Sequence, residues 1–161
     1  PLIIITNLIA SYENLQRYLS NPAPASLPYS EQAALGYLKN QPDGLVLTHP
    51  YDKYAKNNLQ TPIPLYAYET TSYVSAFSQK NVFLEDEMNL DITGFDWKSR
   101  RDLIDKFFVS TDKYFARGVL INNNISYIYL VGDQKLSLSE SDLQVKPIFD
   151  QSGVKIYQVQ R

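Results

Sequence analysis

The chain has 161 residues, 44% of them hydrophobic and 20% charged, which suits one domain with a buried core and is far from the composition of a disordered segment. Net charge is −2 and no basic run is longer than the pair Arg100-Arg101, which excludes the electrostatic footprint of a nucleic-acid binder and a polybasic membrane patch. With no cysteine, disulfides, thiol catalysis and thiolate zinc sites are excluded as well.

A start at Pro1 in place of an initiator Met leads us to expect a piece of a longer polypeptide. The opening run from Leu2 to Ala10 is apolar but far shorter than a membrane span, and it lacks the basic start and small-residue cleavage site of a signal peptide. Leu8, Tyr12, Leu15, Tyr18 and Leu19 recur at helical spacing and predict a helix from Asn7 to Leu19. Asn21 to Pro28 reads as an extended linker, because Pro22, Pro24 and Pro28 deny a helix its amides. Ser30 is the expected N-cap of a helix from Glu31 to about Asn40, with Ala34, Leu35 and Leu38 inward, and Gln41-Pro42-Asp43-Gly44 stops it.

Gly44 to Pro50 predicts a buried strand around Leu45-Val46-Leu47, followed by a polar surface loop from Tyr51 to Leu65. Tyr66 to Ala76 fits either a helix or a strand and turn: Tyr, Thr and Val favour strand, the Ala spacing favours helix. A short strand is expected at Asn81-Val82-Phe83-Leu84, then an acidic loop from Glu85 to Asp91. Asp96 is the expected cap of a helix from Trp97 to Val109, with Leu103, Ile104, Phe107 and Phe108 inside. A second helix is expected from Thr111 to Ile121, and a strand from Ile125 to Val131. Leu143 to Phe149 and Val154 to Val159 then form a hairpin through Asp150-Gln151-Ser152-Gly153. Helices alternating with apolar strands predict an α/β fold: a three-layer sandwich with a central, mostly parallel sheet and the antiparallel C-terminal hairpin at its edge.

No Gly-rich loop follows the Leu45 strand, so neither a P-loop nor a dinucleotide fingerprint is present. No nucleophile elbow supports a free-standing small hydrolase. His49 stands at the carboxyl end of a predicted parallel strand, where such sheets place ligands. It can serve as a general base, or simply hydrogen-bond the strand-end loop. Glu85, Asp86 and Glu87, followed by Asn89, Asp91 and Asp96, can orient a sugar's hydroxyls or a hard cation, or form a solvated loop; the spacing fits no EF-hand, and we assign no metal or cofactor. Arg100 and Arg101, near a helix start where they oppose the dipole, need an acidic partner from that loop or an anionic ligand such as a lipid phosphate. Tyr51, Tyr54, Tyr66, Tyr68 and Tyr73 offer either a sugar-stacking surface or a face for a membrane interface or a partner.

The order of these pieces resembles a family. The carrying stretches are DGLVLTHP (Asp43 to Pro50), the segment from Thr71 to Phe108 with Ser75, Ala76, Asn89-Leu90, Ile92-Thr93-Gly94, Asp96 and Arg100 or Arg101, then ISYIYLVG (Ile125 to Gly132) and PIFDQSGVKIYQV (Pro147 to Val159). They resemble the C-terminal extracytoplasmic domain of bacterial polytopic membrane proteins of the GT-C glycosyltransferase type, over residues 30 to 160. The resemblance implies many transmembrane helices ahead of Pro1, a stem and linker over residues 1–29, and a domain over residues 30–161 on the outer face of the cytoplasmic membrane. It implies a lipid-linked sugar donor and a catalytic carboxylate in the membrane part, hence none in this chain. The Trp-Trp-Asp motif of oligosaccharyltransferase soluble domains is absent, so peptide-acceptor recognition is not supported. The expected function is that of an accessory domain helping to position acceptor or lipid-linked donor. The alternative is a structural domain docked on its own transmembrane part. The residues expected to make ligand contacts are His49, Glu85, Glu87, Asn89, Asp91, Asp96, Arg100 and Arg101.

Overall fold

A computed structural model of the chain describes residues 2–21, 23–68 and 71–161, with side chains from residue 7 onward except residue 8. Pro1, Pro22 of the expected linker, and the side chains at the start of the opening apolar run lie outside the described residues. Helix α1 spans Leu2–Ser20, longer than the periodicity predicts. Of the stripe that predicts it, Tyr12, Leu15, Tyr18 and Leu19 are each more than half exposed, as is the neighbouring Ile9, and the side chain of Leu8 lies outside the described residues. No helix among the described residues is long and apolar enough to cross a membrane. The linker is not merely extended, since β1 (Ala25–Ser26) pairs in parallel with β3 (Ile63–Pro64).

A four-stranded sheet runs through the centre of the fold. It is built from β2 (Leu45–Thr48), β4 (Ile125–Val131), β5 (Val145–Gln151) and β6 (Val154–Val159) in the order β2-β4-β6-β5. The pair β2–β4 is parallel, while β4–β6 and β5–β6 are antiparallel, so the sheet is mixed and not mostly parallel. The reason is connectivity. Only the long segment between β2 and β4 can return a strand in the same direction, whereas β5 and β6 are joined by a tight turn with Ser152 and Gly153 at positive φ. The hairpin lies at the edge as expected, with Pro147 on its outer strand, where a missing amide costs no ladder bond. The expected strand at Asn81–Leu84 reduces to one bridge, Val46 to Val82, in which Val46 N–H donates to Asn81 O (2.9 Å) and Phe83 N–H to Val46 O (2.8 Å).

Alternation along β4 divides the core. Ile128 and Leu130 join one buried cluster and Tyr127, Tyr129 and Val131 the other, on the opposite face. Helices α5 (Lys98–Val109) and α6 (Lys113–Asn122) bring Ile104, Phe107, Phe108, Ala116 and Leu120 to the first. Helices α2 (Tyr29–Lys39) and α3 (Tyr73–Ser78) bring Ala34, Leu35, Leu38, Tyr73 and Val74 to the second. In the ambiguous stretch from Tyr66 to Ala76, the chain leaves a 3-10 turn at Leu65–Ala67 and is helical from Tyr73, while residues 69 and 70 lie outside the described residues. Burial on both faces explains why β4 reads as a near-continuous apolar run.

Several helix starts differ from expectation. The N-cap of α2 is Pro28 and not Ser30: its fixed extended backbone turns the chain inward and its carbonyl accepts the Gln32 N–H (3.0 Å). Asp96 does not cap α5; Trp97 holds that position without a side-chain bond. Helix α6 is capped by Asp112, which accepts from Tyr114 N (2.9 Å) and Phe115 N (3.2 Å). The expected acidic loop contains a helix, α4 (Glu87–Ile92), and the approach to β5 holds a short one, α7 (Glu140–Leu143). At the other end of α2, buried Lys80 donates its ammonium hydrogens to Gln41 O (2.7 Å), Lys39 O (3.4 Å) and Asp43 Oδ1 (3.2 Å), closing the helix's carbonyl terminus with a cation.

Candidate functional site

The carboxyl end of β2 opens onto two neighbouring spaces. The first is a cavity of about 50 Å³ walled by Thr48, Tyr66, Tyr73, Glu85 and Tyr129, with room for a few water molecules and nothing larger. Beneath it lies Glu31, only 3% exposed on the inner face of α2. Tyr129 Oη donates to Glu31 Oε2 (3.2 Å), and Tyr73 bonds the same carboxylate. Burial raises the Glu31 pKa and outweighs these two donors, which act to lower it. Burial likewise pushes the hydroxyls of Tyr73 and Tyr129 well up, with Glu31 adding to the shift. Sequence reasoning missed this cluster, although position 31 continues the inward series 34, 35, 38 at helical spacing and so marks a carboxylate on the buried stripe.

A raised native pKa means that the folded state holds its proton more tightly than the unfolded chain. The stabilisation from Glu31 is therefore complete below the unfolded carboxyl pKa and is lost as pH rises through the raised value. Glu31→Gln is expected to raise stability at neutral pH and to flatten its rise on acidification. Urea midpoints measured across the acid to neutral range check both.

Glu85 accepts the backbone N–H of Val74 (2.9 Å) and of Ser75 (3.0 Å), so it is the carboxylate that caps α3. Burial raises its pKa, against the lowering effect of those amides. Its task is structural, and it faces the small cavity.

The second space is a groove of about 710 Å³, within the ~300–1,000 Å³ range of small-ligand clefts. One wall is the loop after β2, with His49, Tyr51, Asp52 and Tyr54; the other is formed by α4 and the start of α5. Arg101 crosses its floor. Its Nη1 donates to Glu87 Oε1 (2.7 Å) and its Nε to Asp105 Oδ2 (2.9 Å), the acidic partnership expected of this arginine pair. Partial burial acts to lower the guanidinium pKa, but Glu87 and Asp105 more than offset it and the net shift is upward. Trp97 is fixed by donating Nε1–H to Asp91 Oδ1 (3.2 Å) and packs partly against the first core cluster. The His49 ring lies 4.6 Å from the Phe108 ring, and its Nδ1 is 3.2 Å from Pro50 O. Asp52 accepts the Tyr54 N–H (2.8 Å), which shapes the loop.

Of the expected contact residues, His49, Glu87, Asp91 and Arg101 are brought together in this groove, and Glu85 sits behind it. Asn89 is turned into the cap of α4, donating Nδ2–H to Asp86 Oδ2 (2.7 Å). Asp96 is exposed outside the groove. Arg100 is committed elsewhere: its Nη1 donates to Phe83 O (2.9 Å) and its guanidinium lies over the Phe83 and Phe95 rings. Four of the five tyrosines, Tyr51, Tyr66, Tyr68 and Tyr73, line the small cavity, which is too small for a sugar, and Tyr51 and Tyr54 reach the groove. Trp97 and Asp105 are groove residues that the helix pattern alone does not reveal. Among the described residues no three His, Asp or Glu side chains converge as a metal site.

No family model matches the chain, and no curated protein does. Among solved structures, the C-terminal globular domain of an oligosaccharyltransferase from Archaeoglobus fulgidus aligns over 84% of this chain and 99% of its own, with a TM-score of 0.49 and 12% sequence identity. A likeness of that degree carries no weight for function, which rests on the residues themselves.

Proposed function

We propose that the chain is a non-catalytic, extracytoplasmic accessory domain of a membrane-bound glycosyltransferase-like protein, and that its groove helps position the acceptor or the lipid-linked sugar donor. The observation that carries this reading is the groove itself: a cleft of ligand size in which an indole stands among hydroxyl- and carboxylate-bearing side chains. An aromatic face beside hydrogen-bonding groups suits a sugar, which has an apolar C–H face and a rim of hydroxyls. The motif resemblance over residues 30 to 160 supports the same assignment, with residues 1–29 as the stem. The engagement of the groups supports positioning over acid–base chemistry: Glu87 and Asp105 are tied to Arg101, Asp91 holds the indole and Asp52 shapes its loop.

A second reading, a domain that docks on its own transmembrane part, is favoured by the exposed stripe of α1 and by Ile92 and Met88 on α4. The two readings separate in membranes carrying the parent polypeptide. If the groove positions a substrate, Trp97→Phe combined with Asp91→Asn lowers sugar transfer from a lipid-linked donor while the amount of membrane-bound protein is unchanged. Transfer at the parent rate would overturn the positioning role and leave the docking reading standing.

A further inference from the structure

The charge of the groove separates the two ligands left open above. Lys53 and Arg101 contribute two positive charges and Asp52, Glu87, Asp91 and Asp105 four negative ones, which leaves −2 with His49 neutral. Nor are the two cations poised for an anion. Arg101 is bracketed by two carboxylates, and the Lys53 ammonium lies 4.9 Å from the centre of the Tyr54 ring. A phosphate entering the groove meets a surplus of like charge, and of the two cations Arg101 is already balanced by its carboxylates, which leaves the exposed Lys53 at the rim against four acidic groups. A basic peptide finds Glu87 and Asp105 already paired with Arg101, and its counter-charge is limited to Asp91 and Asp52, each with an oxygen engaged by the Trp97 indole or a backbone amide. An uncharged sugar needs neither. Each carboxylate keeps acceptor capacity beyond the bond it makes, which is what hydroxyl donors require, and Trp97 offers ring surface beside them.

Resting on the positioning role proposed above, we infer that the groove takes an uncharged saccharide unit, lying against Trp97 and donating hydroxyls to Asp91, Glu87 and Asp105. The phosphate-bearing end of a lipid carrier is excluded from it. In a transfer reaction this assigns the groove to the glycan of an acceptor, or to sugar units remote from the phosphate, and leaves recognition of the phosphate to the membrane part.

Trp97 is the single tryptophan, so its fluorescence reports on this groove without interference. The chain is titrated with a panel of uncharged disaccharides (cellobiose, maltose, lactose and chitobiose), with their 1-phosphates, and with trilysine. The expected result is saturable quenching or a spectral shift by at least one uncharged disaccharide. Its 1-phosphate should bind more than about tenfold more weakly at low salt, a gap that narrows on adding salt and in the Asp52→Asn, Asp91→Asn double variant. A 1-phosphate that binds as tightly as its parent sugar would overturn the exclusion while leaving the groove as a ligand site. Trilysine binding with no saccharide response would assign the groove to a basic peptide and overturn the saccharide class. Silence across the whole panel, with Trp97 spectrally native, would remove both this inference and the positioning role beneath it.

Discussion

Phe108→Ala is expected to cost about 3–5 kcal/mol, among the largest effects of any single truncation in this chain. Phe108 is 8% exposed in the first core cluster, and its ring meets Phe107 edge-on at 5.1 Å. Truncation loses the transfer free energy of the ring and leaves a void that α5 can close only partly. The same ring supports His49 at 4.6 Å, so the loss reaches the wall of the groove. The next residue is the control: Val109 is 76% exposed, and Val109→Ala should fall within about 0.5 kcal/mol of the parent. Urea midpoints at unchanged slope measure both. Equal effects at the two positions would contradict the facing assigned to α5.

Gly44→Ala is expected to cost about 1–3 kcal/mol through overpacking. A Cβ built at Gly44 falls 2.4 Å from Ser126 Cβ and 2.6 Å from Ser126 Oγ, closer than side chains tolerate, at the entrance of β2 beside β4. The register between these strands shifts just after it, between Leu45 and Val46. Because the obstacle is a side chain, the test is a double-mutant cycle. Ser126→Gly removes both close atoms and should recover much of the loss, although Tyr127 Cε2 at 3.0 Å keeps the recovery incomplete. Additive costs would show that the clash is not with Ser126.

The strands and the larger helices are legible in the sequence because their burial is periodic. β4, apolar on both faces, and α5, with Ile104, Phe107 and Phe108 on one side, are unambiguous by pattern. What is not legible is whatever a distant partner decides. Val82 and Phe83 have the composition of a strand, yet they meet β2 at one residue and then turn away toward Glu85. The direction of β6 relative to β4 depends on where the hairpin docks, which local pattern does not encode. Polar capping misleads in both directions: Ser30 and Asp96 have the right chemistry for caps but not the right position, while Asp86 caps α4 from a left-handed conformation that composition alone does not suggest.

The groove is half legible for the same reason. The position of His49 after β2 and the density of carboxylates from Glu85 to Asp91 both point to the correct end of the sheet. Which of those groups face outward is a tertiary outcome. Glu85 is drawn inward to cap α3 and Arg100 onto the Phe83 carbonyl, which leaves Arg101, one residue later and a turn of ~100° further round the helix, to form the floor. Glu31 was the most accessible missed signal, a carboxylate in phase with three buried apolar residues.

The most direct test of a ligand role for the groove is a map of amide and indole chemical shifts as the chain is titrated with an uncharged disaccharide that quenches Trp97. The prediction is that perturbations cluster on His49, Tyr54, Glu87, Asp91, the Trp97 indole N–H and Arg101, with Lys80 at the far end of α2 left unmoved. Perturbations spread along the exposed stripe of α1, or no perturbation of the groove at millimolar sugar, would contradict it.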